Sequence, residues 1–252
     1  MFHVEHFLRE TFLKGFIMIL PFDEIKKIFG MYDMDISQQQ YDDFQLYTDM
    51  LVEWNEKINL TSITDVEGIS VKHILDSVLI FKYADIPQNS SYIDVGTGAG
   101  FPGIPMKLYR NDLDCTLLDS LNKRVNFLKE VSDKTGQTMN CIHSRAEDGG
   151  KNKDLREKFD FSTARAVAAL PVLCEYCMPF VKVGGSFIAM KGPNENYKDA
   201  FTSYRTMGGE IADVKEYVLP GDDKRQIIII KKIKETPAKY PRNAGQISKK
   251  PL

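Results

Sequence analysis

The sequence has little of what would hold a secreted or membrane protein together. Four cysteines in 252 residues, Cys115, Cys141, Cys174 and Cys177, are too few and too irregularly spaced for a disulfide framework, so a reducing, cytoplasmic setting is expected. No window approaches the roughly 18 apolar residues that would span a bilayer. Apolar runs such as residues 16–20 and 227–230 are far shorter. The N-terminus shows neither a clear basic start nor a small-residue cleavage site, and no export signal is read from it. A dominant charge is also missing. Lys and Arg number 33 against 35 Asp and Glu, a formal charge of −2, which excludes a wholly basic nucleic-acid coat but leaves local basic patches open.

What is present is enough for an ordinary globular core, with 43% hydrophobic and 27% charged residues, and one to two domains. Met18-Ile-Leu-Pro-Phe-Asp could itself begin a protein, so residues 1–17 read as a leader from an upstream start. Residues 18–87 read as a small helical domain. Ile25, Ile28 and Phe29 recur at helical spacing, and Phe44, Tyr47, Met50, Leu51 and Trp54 form a longer amphipathic stripe. Asn59-Leu-Thr-Ser breaks the pattern, and a third helix over about 70–83 carries His73 and Asp76 at i, i+3. From 88 to 233 the period changes. Short apolar runs at 92–95, 115–119, 139–142, 159–164 and 186–190 alternate with helical or irregular segments, which predicts an α/β fold with a mostly parallel, Rossmann-like sheet. Two further strands, 211–218 and 226–233, leave no room for a crossover helix and should pair antiparallel at the sheet's end, making seven strands. Residues 234–252 form a Lys- and Pro-bearing tail without periodicity.

The strongest chemical signal is Asp94-Val-Gly-Thr-Gly-Ala-Gly-Phe-Pro-Gly, which follows a predicted strand and opens a predicted helix. Gly96, Gly98 and Gly100 allow a tight turn and a close backbone approach to a ligand. A dinucleotide fingerprint would need Gly at 101, where Phe101 stands, so hydride-transfer cofactors are disfavoured. Asp119 ends the second strand, where an acidic residue can take ribose hydroxyls or cap the following helix. Ala146 and Glu147 occupy the loop after the third strand and could flank a flat ring. Arg165, at the carboxyl end of the fourth strand, could hold a carboxylate or a phosphate, or make a structural salt bridge. Lys191, after the fifth strand, carries the same ambiguity. Cys174 and Cys177 lie in an apolar helical stretch without a second pair and read as core residues, and His3 and His6 as unlikely metal ligands; no metal site is expected.

The string Asp-x-Gly-x-Gly-x-Gly resembles the first motif of class I S-adenosylmethionine-dependent methyltransferases. Neither the Asn-Pro-Pro-Tyr string of amino-group methylation nor a Pro-Cys dipeptide occurs. Further strings narrow the resemblance: Trp54-Asn-Glu-Lys-Ile-Asn-Leu-Thr-Ser, His73-Ile-Leu-Asp-Ser, Gly100-Phe-Pro-Gly-Ile-Pro, Leu118-Asp-Ser-Leu-Asn-Lys-Arg, Arg145-Ala-Glu, Ala164-Arg-Ala-Val, Met190-Lys-Gly, Tyr240-Pro-Arg and the closing Lys250-Pro-Leu. With these the chain resembles the RsmG (GidB) family, bacterial methyltransferases of N7 of a guanosine in the 530 loop of 16S ribosomal RNA. The resemblance implies S-adenosyl-L-methionine as cofactor, the small ribosomal subunit as partner, and cofactor contacts from Gly96, Phe101, Ala146, Glu147 and Arg165, with Asp94 and Asp119 as neighbours. The residues before Met18 and the segment Gln246-Ile-Ser depart from the family pattern.

For RNA contact the candidates are the basic tail, with Lys239, Arg242, Lys249, Lys250 and Tyr240 to stack a base, and a rim made of Asn59, Thr61, Ser62 and His73. The plainer alternative is a solvated tail without a partner. Catalytic residues are open, with Arg165 and Lys191 as candidates, and a monomer is expected. Two other readings remain: a noncatalytic module that binds S-adenosylmethionine or a nucleotide, and a small-molecule methyltransferase.

Overall fold

A computed structural model describes residues 18–252; the expectations for the leader, with His3 and His6, lie outside the described residues. Helix α1 (Phe22–Gly30) buries Ile25 and Phe29. Helix α2 (Gln38–Ile58) starts at a capping box, in which the Ser37 hydroxyl accepts the Gln40 N–H at 3.2 Å and the Gln40 side chain accepts the Ser37 N–H at 2.8 Å. It ends where the sequence breaks: Asn59 is left-handed at φ 50°, and the Asn55 side-chain oxygen takes the N–H groups of Leu60 and Thr61.

The third expected helix is not regular. It comes as Val66–Gly68, a π-helical stretch Ile69–Leu75, and the short pieces Asp76–Val78 and Ile80–Tyr83. The Ser70 hydroxyl donates to the Val66 carbonyl and that of Ser77 to the His73 carbonyl, competing with the helical ladder. The widened stretch carries His73, and Asp76 opens the short piece that follows it.

All seven expected strands form: β1 (Ser91–Val95), β2 (Asp114–Asp119), β3 (Met139–His143), β4 (Phe159–Arg165), β5 (Val181–Lys191), β6 (Gly209–Leu219) and β7 (Asp223–Lys232). Their order is β3-β2-β1-β4-β5-β7-β6. β1 to β5 run parallel and β7 pairs antiparallel with both β5 and β6. Strand alternation splits the core into two layers. Tyr92, Leu117 and Ile227 face one cluster, while their neighbours Ile93, Leu118 and Ile228 face the other. The first cluster runs unbroken from Ile19 and Phe44 to Ile227 and includes helices α3 (Gly103–Tyr109) and α4 (Asn122–Thr135), so the N-terminal helices cover one face of the sheet. The second holds helix α5 (Leu170–Cys177), where Cys174 and Cys177 are fully buried and burial pushes both thiols up.

The tail is folded against this second layer rather than aperiodic. Helix α6 (Ala244–Lys249) buries Ile247, and Tyr240 is 8% exposed within the core. Arg242 grips the buried Glu175 through Nη2–Oε2 at 2.6 Å and Nε–Oε1 at 2.9 Å, and its backbone N–H donates to the same carboxylate. Removing one partner of such a pair leaves a charge without compensation in an apolar surrounding. Arg242→Ala should therefore lower stability by about 3 kcal/mol in urea unfolding, whereas Lys249→Ala on the exposed face should change it by less than about 0.5 kcal/mol.

Candidate active site

The turn from β1 to α3 uses three left-handed residues in five: Gly96 at φ 70°, Gly98 at φ 62° and Gly100 at φ 100°. A side chain at Gly100 would also collide with Ile104, whereas one at Gly98 would meet open space. Two carboxylates hold the turn. Asp94, fully buried, accepts the hydroxyls of Thr97 (2.6 Å) and Thr163 (3.0 Å) and the Gly103 N–H (3.0 Å). Burial pushes its carboxyl up to about 6, against the pull of these donors. Asp119 takes the N–H of Gly98 at 2.9 Å on one oxygen and that of Leu121, at the start of α4, at 2.8 Å on the other. It thus serves the loop and the helix start together, and its Oδ2 also faces Arg124 Nη1 at 3.6 Å.

Two cavities open at the carboxyl ends of the strands and share Gly96. The larger, about 490 Å3, has Thr61, His73, Gly98, Phe101, Arg165 and Lys191 in its wall. The smaller, about 160 Å3, has Ala146 and Glu147. Asp94 and Asp119 brace the loop and Gly100 is part of it, but none of the three lines either cavity, and Asn59 and Ser62 lie outside both.

Arg165 is the centre of a polar cluster. Its Nη1 donates to Asp76 Oδ2 (2.8 Å) and to the Lys72 carbonyl (3.1 Å), its Nη2 faces His73 Nδ1 at 3.4 Å, and its guanidinium carbon stands 5.0 Å from the Phe101 ring centre. Arg165 therefore makes a salt bridge and lines the cavity as well. His73 stacks on Phe101 at 4.1 Å. Burial, then the Arg165 charge, pushes the His73 ring down to about 3, so it is neutral at pH 7. Lys191 donates to the Ala168 carbonyl and pairs with Glu195, both at 2.7 Å.

Sequence reasoning missed Asp76 as Arg165's partner and, behind it, Tyr217, whose hydroxyl donates to Asp76 Oδ1 at 2.8 Å. It also missed Arg225 and Lys72, which line the larger cavity. The i, i+3 spacing of His73 and Asp76 was visible, but nothing marked which strand ends would meet them. In the tail, Lys239, Lys249 and Lys250 are exposed as expected. Tyr240 and Arg242 depart from expectation: the Tyr240 ring is packed in the core, closed to a stacking base, and the Arg242 guanidinium is committed to Glu175.

A parallel sheet reversed at one end, carrying a triple-glycine turn after β1 braced by carboxylates from β1 and β2, defines the class I S-adenosylmethionine-dependent methyltransferases. The residues fit that cofactor: paired cavities meeting at a side-chain-free Gly96, with Glu147 in the wall of one and the cation Arg165 in the wall of the other. Residues 40–228 match the family described as "GidB: rRNA small subunit methyltransferase G". Two relatives carrying the name "Ribosomal RNA small subunit methyltransferase G" agree. The one from Clostridium perfringens (strain 13 / Type A) is 49% identical over 235 residues, 92% of this chain and 98% of the relative. The one from Alkaliphilus metalliredigens is 50% identical over 221 residues, 86% and 92%. Among solved structures, a SAM dependent methyltransferase from Aquifex aeolicus aligns with a TM-score of 0.48 at 17% identity, over 62% of this chain and 89% of that one. The chain belongs to the rRNA small subunit methyltransferase G family. No helix among the described residues is long and apolar enough to cross a membrane.

Two measurements check this geometry. Gly136 is left-handed at φ 66° with open space around it, so Gly136→Ala should cost about 1 kcal/mol of backbone strain alone. Gly100→Ala adds the Ile104 collision and should also weaken S-adenosylmethionine binding by calorimetry. Nitrogen-15 NMR should find His73 neutral down to about pH 4; a midpoint near 6.5 would refute the assignment. Its folded value lies below its unfolded one, so the stability His73 contributes is complete above about pH 6.5 and drains away as pH falls toward 3.

Proposed function

We propose that this protein transfers a methyl group from S-adenosyl-L-methionine to N7 of a guanosine in the 530 loop of 16S ribosomal RNA. One observation carries the reading beyond family membership. Five basic side chains, Lys72, Arg124, Arg165, Lys191 and Arg225, line the larger cavity with a single carboxylate, Asp76, which is committed to Arg165 and Tyr217. The carboxylates that hold the other four, Asp119, Glu195 and Asp223, stand outside its wall. Such a wall attracts an RNA phosphate and offers no group free to remove a proton.

The bound cofactor supplies a methyl group on a positively charged sulfur. Guanine N7 has a lone pair and no proton to lose, so the site needs no general base. The protein's part is orientation, worth several kcal/mol of barrier. Asp94 and Asp119 hold the glycine turn, with Asp119 and Glu147 on the side suited to nucleoside hydroxyls and amino groups. Arg165, fixed by Asp76, offers its remaining donors to a carboxylate or a phosphate. Lys191 is held by Glu195 and the Ala168 carbonyl, which makes it a charge on the wall rather than a proton carrier. Phe101 and His73 form a flat, uncharged wall beside the turn. The exposed Lys239, Lys249 and Lys250 serve RNA contact away from the cavity, and the protein acts as a monomer in the cytoplasm.

The test is transfer of tritiated methyl to small ribosomal subunits from a strain lacking the modification and to naked 16S RNA, with the base mapped by cleavage at N7-methylguanosine. Label should map to the 530 loop, at a rate changing less than about threefold between pH 6 and 8, since no proton is removed. Label elsewhere, or a steep pH profile abolished with Lys191→Met, would overturn the reading. Cofactor binding without label in any RNA would favour a noncatalytic module.

A further inference from the structure

Thr61 lies in the loop after α2, half-buried in the wall of the larger cavity. Its Oγ1 is 2.8 Å from His73 Nε2 and accepts the Ile63 N–H at 3.0 Å. Arg165 decides where the protons of this chain of groups sit, because a guanidinium has donors and no acceptor. Its Nη2 faces His73 Nδ1, so that nitrogen presents its lone pair and the single ring proton of the neutral imidazole is on Nε2. Nε2 therefore donates to Thr61. With two N–H groups directed into it, the hydroxyl oxygen has both lone pairs filled, and its own proton is the only hydrogen-bonding capacity it has left for the cavity. Turning the ring over would set carbon atoms opposite both Thr61 and Arg165, so these two contacts hold the ring as it stands.

We propose that Thr61 is a specificity-determining residue that reads the target base, its hydroxyl donating to guanine O6 while the adjacent N7 is presented for methylation. Guanine places two acceptors side by side, N7 and O6, whereas adenine sets an amino donor where O6 stands. A group able only to donate accepts the first edge and opposes the second. His73 and Arg165 act as positioning residues that keep Thr61 a donor. This inference rests on the proposed methylation of guanosine N7.

The test uses the full-length protein and small subunits reconstituted with a single replaced target nucleotide: guanosine, inosine, which keeps O6 and N7, or 2-aminopurine riboside, which keeps N7 and lacks O6. The wild type should accept inosine like guanosine and lose about tenfold or more in kcat/KM on 2-aminopurine. Thr61→Val, matched in shape, should lose a similar factor on guanosine and little on 2-aminopurine, so that discrimination falls to about one; Thr61→Ser should restore it. S-adenosylmethionine affinity of each variant shows that the fold is kept. Thr61→Val discriminating like the wild type, or Thr61→Ser failing like Thr61→Val, would overturn the role of the hydroxyl while leaving guanosine methylation standing. Absence of label on guanosine from the wild type would instead overturn the methylation reading, and this inference with it.

Discussion

The site depends on a constraint at the end of β1, where the chain must turn through three left-handed residues beside the cavities and enter a helix. Glycine permits those angles but supplies nothing to hold them. The holding comes from Asp94 and Asp119, which between them accept three backbone N–H groups and two hydroxyls from the turn, α3, α4 and β4. Asp94 is buried enough that its carboxyl is pushed up to about 6, which shows how far desolvation opposes the arrangement. Neither acid lines a cavity. Their contribution is to fix the backbone on which ligand contacts depend.

The second constraint joins the N-terminal helices to the sheet. Asp76, directly after the widened helical stretch, receives Arg165 from the end of β4 and Tyr217 from β6, so one carboxylate ties three distant parts of the chain together above the sheet. The same arginine faces His73, whose other ring nitrogen meets Thr61. A contact that looks structural when seen as a salt bridge is therefore part of how the cavity wall is polarised. The covering helices share one apolar cluster with the sheet, which keeps this polar junction in a fixed place.

Much of this was legible in the sequence, for local reasons. Strand periodicity placed all seven strands, because alternation and short apolar runs report directly on a sheet buried from both sides. The glycine turn was legible because positive φ restricts residue choice at single positions. The irregular helix was not, since it depends on serine hydroxyls choosing carbonyls within an otherwise ordinary apolar pattern. The tail misled for a related reason. A count of lysines and one tyrosine suggested an aperiodic tail, either in contact with RNA or simply solvated, but Arg242 had a buried partner in Glu175 that lies 67 positions away, and Tyr240 had a place in the core.

By itself, then, the sequence determined the order of the strands, the position and shape of the glycine turn, the acidic residue ending β2 and the family to which these strings belong. Those are properties of neighbouring residues, set by backbone angles and by periodic burial. Only the tertiary structure decided which charges meet: that Arg165 pairs with Asp76, that Lys191 is held by Glu195, that Arg225 comes from the antiparallel end to the cavity wall, and that Thr61 meets His73. The physical reason is that hydrogen bonds and ion pairs act over a few ångströms, and groups 89 and 141 positions apart in the chain reach that range only after the sheet has closed beneath the helices.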